Sequence, residues 1–120
     1  YQESPHGQDK LIRAISGEIY DVAVDLRPGS ATYGRWHAER LSAENRKMLF
    51  FFFLFAHGFL VVSERAEVLY KVSAYYAPQA ERGIPWNDPG IAIQWPGVGC
   101  EYILSDRDRH YAPLALPRRT

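Results

Sequence analysis

The stretch Leu11-Ile12-Arg13-Ala14-Ile15-Ser16-Gly17-Glu18-Ile19-Tyr20-Asp21-Val22-Ala23-Val24-Asp25-Leu26 decides the fold class. It holds two runs of β-forming residues, split by the Ser16-Gly17 turn signal and closed by the turn Arg27-Pro28-Gly29-Ser30. Residues 32–41 then alternate apolar and polar groups around Tyr33 and Trp36, the pattern of a half-buried strand. Ser42-Ala43-Glu44-Asn45 reads as a polar connection with room for one helical turn. Residues 48–55, 58–63 and 66–75 are rich in β-branched and aromatic side chains and read as further strands. Pro78, Gly83, Pro85, Pro89 and Gly90 interrupt the rest, leaving space for one short strand over 91–95. Short strands at such spacing, with Gly/Pro turns and no required helix, predict an all-β sandwich or barrel. No internal repeat or shift in composition divides the chain, so one domain over residues 1–120 is expected.

Bulk properties narrow the function classes. The chain is 47% hydrophobic and 23% charged, the balance of a globular protein with a real core. Fourteen basic residues offset fourteen acidic ones, which argues against a grip on nucleic acid. Arg109, Arg118 and Arg119 read as a solvated basic tail. Cys100 is the single cysteine, which excludes an intrachain disulfide and a cysteine metal cluster. Residues 1–10 are polar and lack the layout of a secretory signal. The longest apolar run, 49–56, is far shorter than the ~20 residues that cross a bilayer. The expectation is a soluble, cytoplasmic protein with no membrane partner.

Several segments, in order, carry more than a fold. They include Gly7-Gln8-Asp9-Lys10-Leu11-Ile12-Arg13, Tyr33-Gly34-Arg35-Trp36, Leu41-Ser42-Ala43-Glu44-Asn45 and Phe55-Ala56-His57-Gly58-Phe59. Leu69-Tyr70-Lys71, Tyr75-Tyr76-Ala77-Pro78, Glu81-Arg82-Gly83-Ile84, Trp86-Asn87-Asp88-Pro89 and Ser105-Asp106-Arg107-Asp108 complete the set. Together they resemble the dTDP-4-dehydrorhamnose 3,5-epimerases over nearly the whole chain. The resemblance implies a cupin-type jelly roll, a homodimer, and no metal or other cofactor. It implies a dTDP-linked 4-keto-6-deoxyhexose as substrate, inverted at C3 and C5. Both carbons lie α to the C4 ketone, so each inversion removes a proton to form an enolate and returns one to the opposite face. That chemistry needs a base, an acid across the ring, and a group that stabilises the enolate oxygen.

The resemblance assigns roles by position. Lys10 matches the lysine near the sugar's C4 oxygen, although a lysine here taken alone reads as an exposed strand end. Tyr70 matches the general acid, a phenol still protonated at neutral pH; taken alone it is a core tyrosine. Asp108 matches the carboxylate that orients the catalytic histidine, within a charged stretch that also reads as plain surface. Asp21 is a second, lower-ranked carboxylate near the base. His57 matches a substrate-binding histidine, Arg107 a basic residue on the diphosphate, Glu81 a binding carboxylate and Tyr76 the aromatic that stacks on thymine. Tyr75, its neighbour, is expected to pack inward by strand alternation.

Two departures qualify the resemblance. The family's base histidine would stand immediately before Tyr1, so the jelly roll is expected to be N-terminally incomplete, with unpaired edges that favour association. His6, six residues into the chain beside Gly7, is no substitute. The family's Ile-Pro-Pro-Gly bend is replaced by Phe51-Phe52-Phe53-Leu54, and the four phenylalanines 50–53 predict a continuous, aggregation-prone strand. With the base unaccounted for, the competing expectation is a jelly roll that binds a nucleotide sugar, or serves assembly, without catalysis.

Overall fold

A computed structural model describes residues 1–116. Arg118 and Arg119 of the expected tail lie outside the described residues, and Arg109 is exposed on a tight turn. Six strands are formed: β1 (Lys10–Ser16), β2 (Glu18–Asp25), β3 (Trp36–Ser42), β4 (Met48–Phe51), β5 (Phe55–Val61) and β6 (Glu67–Val72). They make two antiparallel sheets, ordered β4-β1-β6 and β3-β2-β5. β1 pairs with β6 and β2 with β5, so the first strands and the last wind together as nested partners. This is the all-β, cupin-like jelly roll that the resemblance implies. Among the described residues, no helix is long and apolar enough to cross a membrane.

The quoted stretch forms two strands as expected, but they lie in different sheets. Gly17 makes the corner with φ +71°, and a Cβ there would stand 2.0 Å from the Arg65 carbonyl oxygen. Only glycine satisfies both demands. β2 sends Ile19 and Ala23 into the space between the sheets, where they pack with Ile12, Ala14, Leu41 and Phe51. Burial of Ile12, Ile19 and Leu41, all at 0% exposure, contributes roughly 1.5–3 kcal/mol each. The other face of β2 is buried too. Val22 and Val24 pack with Ala56 and Ile91 beneath residues 84–116, which cover that sheet with Ile84, Ile93, Trp95 and Leu114.

Four expectations are corrected. β3 begins at Trp36 rather than residue 32, because residues 30–35 turn back on Asp25. That carboxylate accepts hydrogen bonds from Arg27 Nε (3.0 Å), Arg27 Nη2 (2.9 Å), Ser30 Oγ (2.7 Å) and Thr32 Oγ1 (2.5 Å). The phenylalanine run is not one strand. β4 ends at Phe51, and the chain turns through Phe52–Leu54 because neighbours satisfy its backbone: Phe53 N–H donates to Asp9 Oδ1 (2.9 Å), and Leu26 N–H to Leu54 O (3.0 Å). Phe51 enters the core, whereas Phe50 and Phe52 stay on the surface, edge to face at 5.5 Å.

Residues 91–95 form no strand. Buried Asp88 accepts from the N–H groups of Gly90 (2.8 Å) and Ile91 (3.2 Å) through Oδ1, and from Leu114 N–H (2.7 Å) through Oδ2. These bonds curl the segment, and Ala92 takes φ 54°. Finally, β6 ends at Val72, so alternation does not reach Tyr75, which is 95% exposed rather than inward.

The Asp25 network yields a stability prediction. The Arg27 guanidinium, then Thr32 and Ser30, hold the Asp25 carboxyl well below the usual carboxylate range against the opposing effect of burial. A depressed folded value stabilises the protein above the unfolded pKa of ~3.9, and that contribution is lost as pH falls towards the folded value. Asp25→Asn should therefore lower urea stability at pH 7 by ~1.5–3 kcal/mol, part of it screened at the half-exposed Arg27. The variant should also lose less stability than the parent between pH 5 and pH 3. Equal acid slopes for both proteins would refute the assignment.

Candidate active site

The pairing registers place the candidate side chains before any contact is considered. Lys10 opens β1 on the face that carries Ile12 and Ala14 into the interior. Tyr70 on β6 lies opposite Ile12, and therefore on that same side of its sheet. On the facing sheet, His57 lies opposite Ala23 and Phe59 opposite Asp21. All lie on the faces that the two sheets turn towards each other, with Phe59 and Tyr70 still exposed at the opening, and they meet beside β5 and β6. Lys10, His57, Phe59, Tyr70 and Val72 line one cavity there, of about 440 Å³. That size lies within the ~300–1,000 Å³ usual for small-molecule sites.

At its base, His57 Nε2–H donates to Asp21 Oδ1 at 2.5 Å. Asp21 is 0% exposed, and its Oδ2 has no hydrogen-bond partner among the described residues. A buried carboxylate held by one partner is costly, so Asp21 depends on the imidazole of His57. The bond also fixes the ring by Nε2, leaving Nδ1 as the nitrogen available to a ligand. Phe51 and Phe59 flank the imidazole, with ring centroids at 5.0 and 5.9 Å. Lys10 has no ion-pair partner among the described residues. Burial pushes its pKa below the ordinary lysine value, and the negative charges of Asp21 and Glu81 oppose that shift.

A second group stands at the rim. Tyr76 O–H donates to Glu81 Oε2 (2.9 Å), and Arg107 Nη1 donates to the same oxygen (2.5 Å). The contacts with Tyr76 and Glu81 push the Arg107 pKa further up, so the guanidinium is charged at any physiological pH. Glu81 and Arg107 line both the Lys10–His57 cavity and an adjoining cavity of about 370 Å³, which continues past Gly58 to Trp86, Trp95 and Tyr111, whereas Tyr76 lines only the first. Gly83 supports the junction. A Cβ there would lie 2.1 Å from the Tyr111 ring, which rests directly on the glycine backbone.

The structure thus brings together Lys10, Tyr70, His57, Asp21, Tyr76, Glu81 and Arg107. Asp108 lines only the adjoining cavity, exposed on the turn Arg107–Arg109. Its backbone N–H donates to Ser105 Oγ (3.2 Å), but its carboxylate contacts no histidine among the described residues. At the cavity, the carboxylate paired with His57 is Asp21; on the surface, Glu39 pairs with His37. Sequence reading also passed over Gln2, Asp88 and Tyr111, whose residue types carry no signal of their own. Among the described residues, no three His, Cys, Asp or Glu side chains converge as a metal site. A half-buried ammonium, a phenol and an imidazole–carboxylate pair around one cavity suit proton transfer beside a carbonyl group.

Comparison with known proteins agrees with that chemistry. A model of the dTDP-4-dehydrorhamnose 3,5-epimerase family matches residues 1–115. The dTDP-4-dehydrorhamnose 3,5-epimerase of Pseudomonas aeruginosa is 54% identical over 102 residues, covering 85% of this chain and 56% of that protein. The crystal structure of dTDP-6-deoxy-D-glucose-3,5-epimerase from Legionella pneumophila, in complex with dTDP-4-keto-L-rhamnose, superposes with a TM-score of 0.86 at 42% identity. The match covers 90% of this chain and 57% of that one. A 3'-monoepimerase from Streptomyces bikiniensis, in complex with dTDP-quinovose, superposes with a TM-score of 0.84 at 37% identity, covering 91% and 55%. The chain spans just over half the length of each of these relatives.

Proposed function

This chain belongs to the dTDP-4-dehydrorhamnose 3,5-epimerase family, and on that premise we propose that its protein epimerises dTDP-4-dehydro-6-deoxyglucose at C3 and C5 to dTDP-4-dehydro-L-rhamnose. The observation that carries this reading is the convergence of Lys10, Tyr70 and the His57–Asp21 pair on one interior cavity, with Tyr76, Glu81 and Arg107 at its rim.

In this reading the sugar enters between the sheets and the nucleotide stays at the rim. The Lys10 ammonium lies at the C4 oxygen and stabilises the negative charge that develops there when a proton leaves C3 or C5. The Tyr70 phenol returns a proton to the opposite face. His57, held through Nε2 by Asp21, binds the substrate through Nδ1. Tyr76 offers a flat face to thymine, Glu81 accepts a hydrogen bond, and Arg107 receives the diphosphate. The family's proton acceptor would stand immediately before Tyr1, whose own side chain lines both cavities. Asp108 is its expected partner. A homodimer, a single jelly-roll domain and a cytoplasmic location belong to the same proposal.

Deuterium uptake tests the reaction. The intact protein, incubated in heavy water with dTDP-4-keto-6-deoxyglucose, is expected to label both C3 and C5. Label at C3 alone would place it with the monoepimerases. No label at either carbon, with dTDP still bound, would leave a non-catalytic binding protein.

A further inference from the structure

Tyr76, the proposed platform for the base, lies beyond the end of β6 in a segment with no regular structure. A ring on such a segment is free to swing, and the ordering it then undergoes on binding costs affinity. Here the segment is gripped by side chains from elsewhere. The Gln2 amide is 5% exposed and uses both of its ends. Its Oε1 accepts from Ala77 N–H (2.8 Å), and its Nε2 donates to Tyr75 O (3.3 Å) and to His6 O (2.7 Å). Two of those bonds fall on the residues immediately before and after Tyr76. Gln8 Nε2 adds a third hold on the segment at Ala74 O (2.7 Å).

Gln2 also stands opposite Glu81 in an isolated antiparallel bridge. Glu3 N–H donates to Ala80 O (2.9 Å) and Arg82 N–H to Tyr1 O (2.9 Å), one bond on each side of it. One residue therefore joins the segment carrying Tyr76 to the segment carrying Glu81, and these two side chains are hydrogen-bonded to each other. The Gln2 amide accepts from Ala77 and donates to Tyr75 at once; a carboxylate lacks the donor, and a thioether lacks the donor and is only a weak acceptor.

We propose that Gln2, seconded by Gln8, is a positioning residue for the nucleotide: it holds Tyr76 and Glu81 at the rim in the geometry that receives the base. The proposal rests on the reading above, in which Tyr76 stacks on thymine. Its consequence is selective. Loss of the amide weakens nucleotide binding and leaves the Lys10–Tyr70 chemistry at saturation nearly intact.

A double-mutant cycle on the intact protein, with dTDP as titrant well below the unfolding midpoints, separates this from a role in packing alone. Gln2→Met is expected to weaken dTDP about tenfold, to raise KM in parallel and to hold kcat within about twofold. In a Tyr76→Ala background the same change should add less than about twofold, because the ring it positions is gone. If Gln2→Met does not fold, Gln8→Met at its half-buried position carries the same test, with an expected loss of about threefold. Full additivity with Tyr76→Ala, an unchanged dTDP affinity, or a kcat that falls with KM unmoved would overturn the proposal. Tyr76→Ala without effect on dTDP would instead sink the underlying assignment of Tyr76, and the proposal with it.

Discussion

Tyr70→Phe is expected to slow epimerisation about 10²–10⁴-fold while dTDP affinity stays within about twofold of the parent. The change removes one oxygen and keeps the ring. Tyr70 lies opposite Ile12 on β6 and reaches the mouth of the cavity, where it is more than half exposed. It has no hydrogen bond to another residue among the described ones, so its loss leaves no buried group unpaired. Folding should therefore be unaffected, and the full effect should fall on proton delivery. The two carbons discriminate further. Deuterium exchange at C3 and C5 should persist more strongly than net inversion, because abstraction and return on the same face do not need the acid across the ring. Equal turnover by Tyr70→Phe would remove the phenol from the mechanism.

Lys10→Met should lower kcat by about 10²–10³-fold, the cost of removing one donor to a developing oxyanion, with a much smaller change in KM. The ammonium is the cationic group on the cavity side of β1, and it is partly desolvated, which strengthens its field on a nearby carbonyl. Desolvation also sets the pH dependence. Burial lowers the Lys10 pKa, and enolate stabilisation requires the charged form, which exists below that pKa. Activity should therefore decline on the alkaline side at a pH below the ~10.4 of a free lysine. The residual activity of Lys10→Met should lack that decline. A variant that keeps the same alkaline limb would show that another group, Tyr70 included, sets it.

Much of the strand pattern was legible. The corner at Gly17, the two β-rich runs that form β1 and β2, and the polar break after β3 follow from residue type within a few positions. The misreadings arose where distant groups satisfied the backbone. A run of phenylalanines bends at 52–54 only because Asp9 and Leu26 meet its N–H and carbonyl groups. Residues 91–95 look like a strand until Asp88 takes the amides of Gly90 and Ile91. Nothing in the β-rich run of β2 shows that Val22 and Val24 are covered by an irregular segment more than fifty residues away in the chain.

The site divides in the same way. Residue order was enough to class the chain as β, whereas Lys10, Tyr70, His57, Tyr76, Glu81 and Arg107 were marked only through the resemblance to the epimerase family. Side-chain alternation has a period of two and is local, so it assigns faces within a strand. It does not assign partners. That His57 belongs with Asp21, 36 residues earlier, depends on the β2–β5 register. That register is a property of the closed jelly roll, where shifting β5 by one residue would turn His57 away from the cavity and from Asp21. The hold of Gln2 on either side of Tyr76 is likewise a product of closure. Residue types determined which groups could do the chemistry; the winding of six short strands decided which of them meet.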